Sequence, residues 1–384
     1  MRWIITENEE CKCPGFTVDF LPANLPVNLH VLYKESQLFL RADGLAGIIP
    51  CKSGHSILID PKCKGLHPLK MYEYINDLSI SHQTDDAIDS DGSNIDIHSL
   101  AKCFANELIV IQCHQKLFKR LPVKEGRNMV RGRVDWANTY RRIKTGRELP
   151  ITSIALESAY DIAENEAISM AAEICLPLFE YNTAEWLVLH SWSSMSYSKP
   201  LTKEKLQKLH SSLRNLKIGG AHAYYYTPLA LALIVLGTDD AGNTTSQNQS
   251  MLFNMPVLYE DYIRTAFMRK CALKGLSCQK SFIPKSFLFI NGTCELEPDI
   301  TIYSGTQPLA ILDVKYKVPD SKDYYQLLTY MQYAGLSSAY IISPNVKHNE
   351  IITAYNGSKI VNINVSKSDH MQLEKIVSEV IGNL

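Results

Sequence analysis

The sequence predicts an α/β multidomain protein, with a β-rich N-terminal domain over residues 1–96, a mainly helical middle region over 97–240 and a C-terminal α/β domain over 251–384. Three observations predict it. The first eighty residues show β-branched alternation punctuated by Gly and Pro, the middle shows helical apolar spacing, and a polar stretch then introduces alternating helix and strand patterns.

In the first region, Val27 to Leu40 and Ile57 to Ile59 read as strands, separated by Gly44, Gly47, Pro50, Gly54 and Pro61. Ser81 to Asp86 and Asp89 to Asn94 are polar and acidic without apolar periodicity, which marks a loop or linker. From Ile97 to Arg120 the spacing of Leu100, Cys103, Phe104, Leu108, Ile111 and Leu117 predicts a helix. A basic segment follows, with Lys119, Arg120, Lys124, Arg127, Arg131, Arg133, Arg141, Arg142, Lys144 and Arg147 set against Glu125, Asp135 and Glu148. Asp161 to Leu178, Thr202 to Leu216 and Ala221 to Leu236 are candidate helices.

The polar run Thr238 to Ser250 marks the clearest boundary. Beyond it, Met251 to Ala272 reads as a helix, and Ser286 to Ile290, Cys294 to Tyr303 and Leu309 to Tyr316 as strands with turns at Asn291-Gly292 and Ser304-Gly305. A helix over Tyr324 to Ala334, strands over Ala339 to Ile342 and Lys359 to Val365, and a helix over Asp369 to Ile381 complete the pattern.

Composition narrows the function classes. Hydrophobic residues are 46% and charged residues 21%, ordinary for a globular chain, and the formal net charge is -1. No global field draws the protein to nucleic acid, so any such contact falls to local basic patches. Met1 to Ile5 runs into Glu7, Glu9 and Glu10 without a leader's apolar core, and the longest apolar run, Pro228 to Leu236, is too short to cross a bilayer. A cytoplasmic protein with no membrane contact is expected. The ten cysteines form no compact framework and read as reduced thiols; Cys11, Cys13, Cys51, His55 and Cys63 do not fit the usual zinc-knuckle spacing.

The chemistry concentrates in Glu297-Pro298-Asp299 and Asp313-Val314-Lys315. Asp299 and Asp313 fall on neighbouring predicted strands, about 5 Å apart, so two carboxylates at paired positions can share one ion. Alternation along a strand puts Asp313 and Lys315 on one face and Val314 on the other. Cleaving a phosphodiester requires charge neutralisation at phosphorus and a nucleophile near neutral pH. Magnesium, which takes oxygen ligands and needs only one or two carboxylates, suits such a pair, and Mn²⁺ is expected to substitute.

With Pro298-Asp299 and Asp313-x-Lys315, the sequence resembles the PD-(D/E)xK nuclease superfamily, which implies a restriction-endonuclease-like α/β/α domain over 251–384. Members of that superfamily carry an acidic metal ligand on the helix before the first core strand, and Glu260 in Leu258-Tyr259-Glu260-Asp261-Tyr262 stands there. Gln326-Leu327-Leu328-Thr329-Tyr330 is similar to the Q-x3-Y signature of the RecB-related subgroup, implying site roles for Gln326 and Tyr330. More narrowly, Phe253 to Tyr262 and Leu312 to Lys317 resemble McrC-like (LlaJI-like) restriction nuclease subunits, with weaker likeness at Arg131 to Trp136 and Glu164-Asn165.

That resemblance implies a Mg²⁺-dependent endonuclease on double-stranded DNA within a modification-dependent restriction system. Asp299, Asp313 and Glu260 would hold the metal and Lys315 would act beside it. The chain has no G-x4-G-K-[S/T] loop, so a translocating motor would be a separate protein. The resemblance implies an McrB-like AAA+ GTPase, contacted by residues 1 to about 120. Two alternatives stand beside it: a stand-alone RecB-like repair nuclease, and a non-catalytic assembly subunit with a nuclease fold.

Overall fold

The computed structural model describes residues 2–21, 25–26, 28–34, 37–51, 56–77, 97–114, 116–127, 130, 132–145, 151–195, 202, 204–206, 208–209, 213, 223–236, 251–289 and 292–384. The expected linkers at 81–94 and 238–250, most of the candidate helix at 202–216, and His55, Arg131, Arg147 and Asn291 lie outside the described residues. The chain divides into two compact units, residues 1–100 with 237–384, and residues 101–236.

In the first unit, strands β1 (Arg2–Thr6), β2 (Cys11–Lys12), β3 (Leu29–Lys34), β4 (Gln37–Ala42), β5 (Leu45–Pro50) and β6 (Ser56–Asp60) build two sheets. One has the order β2-β4-β3, the other β1-β6-β5-β10, where β10 is Met251–Asn254. Alternation explains the packing: Trp3 and Ile5 point into a core with Leu40, Ile49, Ile57 and Leu252, while Ile4 between them is exposed. Each fully buried aliphatic side chain there contributes about 1.5–3 kcal/mol. Glu7 occupies the next inward position and is buried as well. Cys11, Cys13 and Cys51 pack in or against this core, and all ten cysteines are free thiols.

Helix α1 (Pro68–Asn76) follows the strands, which a short 3-10 turn at Val18–Phe20 interrupts. It packs on the helix Met255–Leu273 through Tyr74, whose ring lies 5.2 Å from that of Tyr262 and 4.7 Å from His370.

The expected helix from Met251 begins four residues late. Met251 to Asn254 instead pair antiparallel with Ile48 to Leu45, and Asn254 then caps the helix by accepting from Val257 N–H, with Pro256 in the first turn. Downstream, β11 (Ser277–Gln279), β12 (Ile300–Ser304), β13 (Gln307–Val314), β14 (Ser338–Ser343), β15 (Ile351–Thr353) and β16 (Lys359–Asn364) form a sheet of order β11-β12-β13-β14-β16-β15. The expected strand at Cys294 to Tyr303 is shorter, because Pro298 lacks a ladder donor. The strand expected from Ser286 reduces to one bridge, Phe287 to Glu295.

Strands β13, β14 and β16 run parallel and their buried stretches are mainly apolar, as central strands covered on both faces are, with Asp313, Ser343 and Asn362 as buried polar exceptions. The helix Ser321–Ala334 joins β13 to β14, starts with an Asp320/Asp323 capping box and ends at Gly335 in the left-handed region. Its Leu327, Tyr330 and Met331 pack with Ile311, Ala339 and Ile341. The helix His370–Gly382 is capped by Asp369.

In the second unit the helix Ala163–Cys175 packs on Ala184–Ser193 and on Tyr226–Leu236, with Ile168, Trp192 and Leu229 buried, and strands β7 (Lys119–Arg127) and β8 (Arg133–Val134) flank β9 (Ile151–Ala159). The helix Ile97–Cys113 begins at the boundary and buries Phe104. The longest apolar run, Pro228 to Leu236 in helix Tyr226–Leu236, is buried throughout and is therefore a core element. Among the described residues no helix is long and apolar enough to cross a membrane. Asn165 ties this core together: its amide donates to Leu117 O (2.9 Å) and Tyr160 O (2.8 Å) and accepts from Tyr225 Oη (2.7 Å). Tyr225 and Tyr226 are core residues.

Candidate active site

The hairpin of β12 and β13 brings the two aspartates together. Ile300 pairs with Leu312, so one step further along the ladder Asp299 arrives beside Asp313. Asp313 shares its face with Ile311, hence with Tyr330 on the covering helix. Val314 N–H donates to Asp299 Oδ2 at 2.8 Å, locking the first carboxyl against the second strand.

Lys315 completes the group. Its Nζ lies 3.0 Å from Asp313 Oδ1 and 3.8 Å from Asp299 Oδ2. It also lies 2.9 Å from Asp313 Oδ2, but outside hydrogen-bonding geometry, so that buried oxygen has an ionic neighbour and no hydrogen-bond partner. Lys315 N–H donates to Ile342 O (2.9 Å), which anchors the residue to the adjoining strand. The Asp313 side chain is 2% exposed.

Burial and proximity set the protonation. Burial, then the Asp313 charge, raise Asp299 to about 7, with Glu260 adding to the rise and Lys315 and the Val314 N–H opposing it. Asp313 is raised by burial, against the pull of Lys315 and of a hydrogen bond with Asp299. Burial works against the Lys315 charge, but Asp313 and Asp299 outweigh it and its pKa rises. Both carboxyls thus hold a proton more tightly than an ordinary aspartate, beside an ammonium whose own pKa is raised.

Gln326 and Tyr330 meet as their one-turn spacing requires: Gln326 Nε2 donates to Tyr330 Oη at 2.7 Å. Burial raises the Tyr330 pKa, the Gln326 hydrogen bond opposes the rise, and the charges of Asp313 and Asp299 add to it. Glu260 sits differently. Its Oε1 is held by Arg264 (2.6 Å) and Lys280 (3.0 Å), while Arg264 also pairs with Asp261. Among the described residues, no three His, Cys, Asp or Glu side chains gather as a metal cluster. Lys317 pairs with Asp320 (2.8 Å) and Asp323 (2.9 Å), and Glu297 is exposed.

Two further residues escaped the sequence reading. Asp323, nearly buried, adds its charge to the field on Asp313 and Lys315; the D-x-x-D spacing at 320–323 is the local signal for its position. Glu7, from the far end of the chain, accepts from Tyr316 Oη (2.8 Å) and Lys62 N–H (3.2 Å) directly behind Lys315, and no local pattern points to it.

The site offers oxygen donors of the kind magnesium takes: two adjacent carboxyls, one with a buried oxygen lacking a hydrogen bond. Their raised affinity for a proton comes first from burial and, at Asp299, next from the Asp313 charge, and a bound cation would offset both. The residues fit the metal.

The sequence profile of the McrBC 5-methylcytosine restriction system component family matches residues 40–344. No curated protein matches the sequence. In fold, the chain is similar to one in the refined half-complex from the tetradecameric assembly of Thermococcus gammatolerans McrB AAA+ hexamers with bound McrC, with a TM-score of 0.59 at 14% identity over 100% of both chains. A chain of the cryo-EM structure of the Thermococcus gammatolerans McrBC complex aligns over 70% of this protein and 88% of its own length, at 12% identity and a TM-score of 0.44, too low to bear on the fold.

Proposed function

The chain belongs to the family of McrBC 5-methylcytosine restriction system components, and from that premise we propose that it is the McrC-like, DNA-cutting subunit of such a system. Its activity is that of a magnesium-dependent endonuclease of the PD-(D/E)xK type, acting in the cytoplasm. The observation that carries this reading is the convergence of Asp299, Asp313 and Lys315, with the Lys315 ammonium 2.9–3.8 Å from both carboxyls.

Asp299 and Asp313 would hold the ion, and Mg²⁺ there supplies Lewis acidity and an acidified water. Glu260, whose Oε1 is held by Arg264 and Lys280, would join them through Oε2. Because its neighbours raise its pKa, Lys315 stays protonated and serves to orient the scissile phosphate and stabilise charge at phosphorus. Asp299, raised to about 7 without an ion, would give up its proton on taking the metal. Gln326 fixes the Tyr330 hydroxyl, which lines the same pocket.

The fold likeness to a chain from an assembly of McrB AAA+ hexamers with bound McrC supports a separate AAA+ GTPase as partner. On this reading the motor carries recognition of modified DNA, and this chain cuts. The test is cleavage of methylated and unmethylated supercoiled plasmid with Mg²⁺ or Mn²⁺, with and without the AAA+ protein. Cleavage that needs metal and motor, and that disappears in Asp313→Ala and Lys315→Ala with unchanged melting, is expected. Cleavage by Asp299→Ala at the wild-type rate overturns the site; cutting without any motor overturns the partnership.

A further inference from the structure

The helix Trp136–Lys144 in the second unit is built the wrong way round for a core element. Thr139 is its one buried residue, fixed by exchange of hydrogen bonds with the strand Ile151–Ala159: its Oγ1 donates to Thr152 O (3.3 Å) and accepts from Thr152 N–H (3.1 Å). Gly132, just upstream, lies so close to that strand that a Cβ would fall 2.4 Å from Ile154 O, and its φ of +72° suits glycine. The helix is thereby pinned by backbone and threonine contacts, with no apolar face buried.

What it shows to solvent is specific. Trp136 and Tyr140, one turn apart on one stripe, are 74% and 64% exposed. Lys144 follows Tyr140 by one further turn beside that stripe, and Arg133, Arg141 and Arg142 stand in the same segment, all exposed and without a side-chain ion pair among the described residues. The sole acid of residues 132–145, Asp135, is occupied in capping the helix, accepting from Asn138 N–H (3.3 Å) and Asn138 Nδ2 (2.7 Å). Exposed aromatic rings cost solvation and exposed like charges repel, so the surface gains by meeting a ligand that is both anionic and flat-faced.

The geometry points to a DNA-strand contact on this helix, in which Trp136 and Tyr140 stack on unpaired bases while Arg133, Arg141, Arg142 and Lys144 neutralise the flanking phosphates. It shares DNA as ligand with the reading above but rests on none of that site's residues. A single-stranded or locally opened segment is the form that offers base faces, whereas an intact duplex offers phosphates alone.

The test is fluorescence anisotropy of a labelled single-stranded oligonucleotide, and of its duplex, with the full chain in chelator, so that cutting plays no part. The single strand is expected to bind more tightly than the duplex. Trp136→Ala with Tyr140→Ala is expected to weaken single-strand binding roughly tenfold or more, and Trp136→Phe to restore part of it. Arg141→Gln, Arg142→Gln and Lys144→Gln together should flatten the log-affinity against log-salt slope by about 2, given roughly 0.7 per phosphate contact on a single strand. Since all these side chains are exposed, melting temperatures are expected to stay unchanged. Equal binding of both DNA forms, a loss below twofold in the aromatic variant, or an unaltered salt slope overturns the proposal. So does a variant set that spares DNA binding but abolishes association with an AAA+ protein, which would assign the surface to protein.

Discussion

Lys315 and Arg141 both sit among dense charge, yet on opposite plans. Around Lys315 the carboxyls of Asp299 and Asp313 are enclosed, in mutual contact and shifted in their protonation. Around Arg141 the cations stand in water with no acid paired to them among the described residues. Enclosing charge is costly unless partners compensate, so the first arrangement is retained by the whole surrounding fold. Exposed charge costs little to keep and adds little to stability. Enclosed charge therefore reports through reaction and proton affinity, exposed charge through salt-dependent association.

The comparison breaks most readily at Asp313. Its replacement by Ala should lower plasmid cleavage about a hundredfold or more, with circular dichroism unchanged, and a variant that still cuts would show that enclosure here is merely architectural. The next largest effect is on pH. With Asp299 raised to about 7, metal-dependent cleavage should fall about tenfold per unit as pH drops well below 7, because proton and metal compete for one carboxyl. For stability the sign is opposite. A carboxyl whose folded pKa is raised contributes stability that is complete below the ordinary carboxylate range and lost as pH rises to about 7. Asp299→Asn should therefore raise the melting temperature most at pH 7 and above in chelator, and least near pH 4; a uniform shift would contradict the assignment.

Behind the site, Tyr316→Phe leaves the buried Glu7 with one partner fewer, and should cost about 1–3 kcal/mol in denaturant unfolding. Burial raises the Glu7 pKa against the opposing hydrogen bonds of Tyr316 and Lys62, so a silent substitution would mean the enclosed plan stops at Lys315. The smallest change is expected at Lys317, which is half-exposed: the nearly buried Asp323 keeps the Asp320 N–H as a partner, so Lys317→Ala should lower stability less than Tyr316→Phe does. A larger loss would place Lys317 with the enclosed group.

The aspartate pair was legible in the sequence because it is local. Fourteen residues separate Asp299 from Asp313, one hairpin joins them, and period-two alternation decides the facing of Asp313. Gln326 and Tyr330 were legible for the same reason at helical spacing. Glu260 shows the limit: its position on the helix could be read, but its engagement by Lys280 twenty residues on could not. Neither Glu7 against Tyr316 nor Met251–Asn254 against β5 leaves a local trace, since each joins segments hundreds of residues apart. Likewise, a Trp-Tyr stripe at one-turn spacing belongs to a core on periodicity alone; the threonine anchor that turns it outward is a tertiary contact.

The pairing of Leu45 to Ile48 with Met251 to Asn254 imposes a delay on biosynthesis. At about 5–20 residues per second, the nascent chain spends roughly ten to forty seconds with that strand emerged and its neighbour still unmade. Through that interval the ribosome displays a bare sheet margin, an invitation to intermolecular pairing. Production in the cell should thus respond to chaperone supply and to elongation speed across the intervening codons, and any transcript truncated ahead of residue 251 should yield material prone to precipitate.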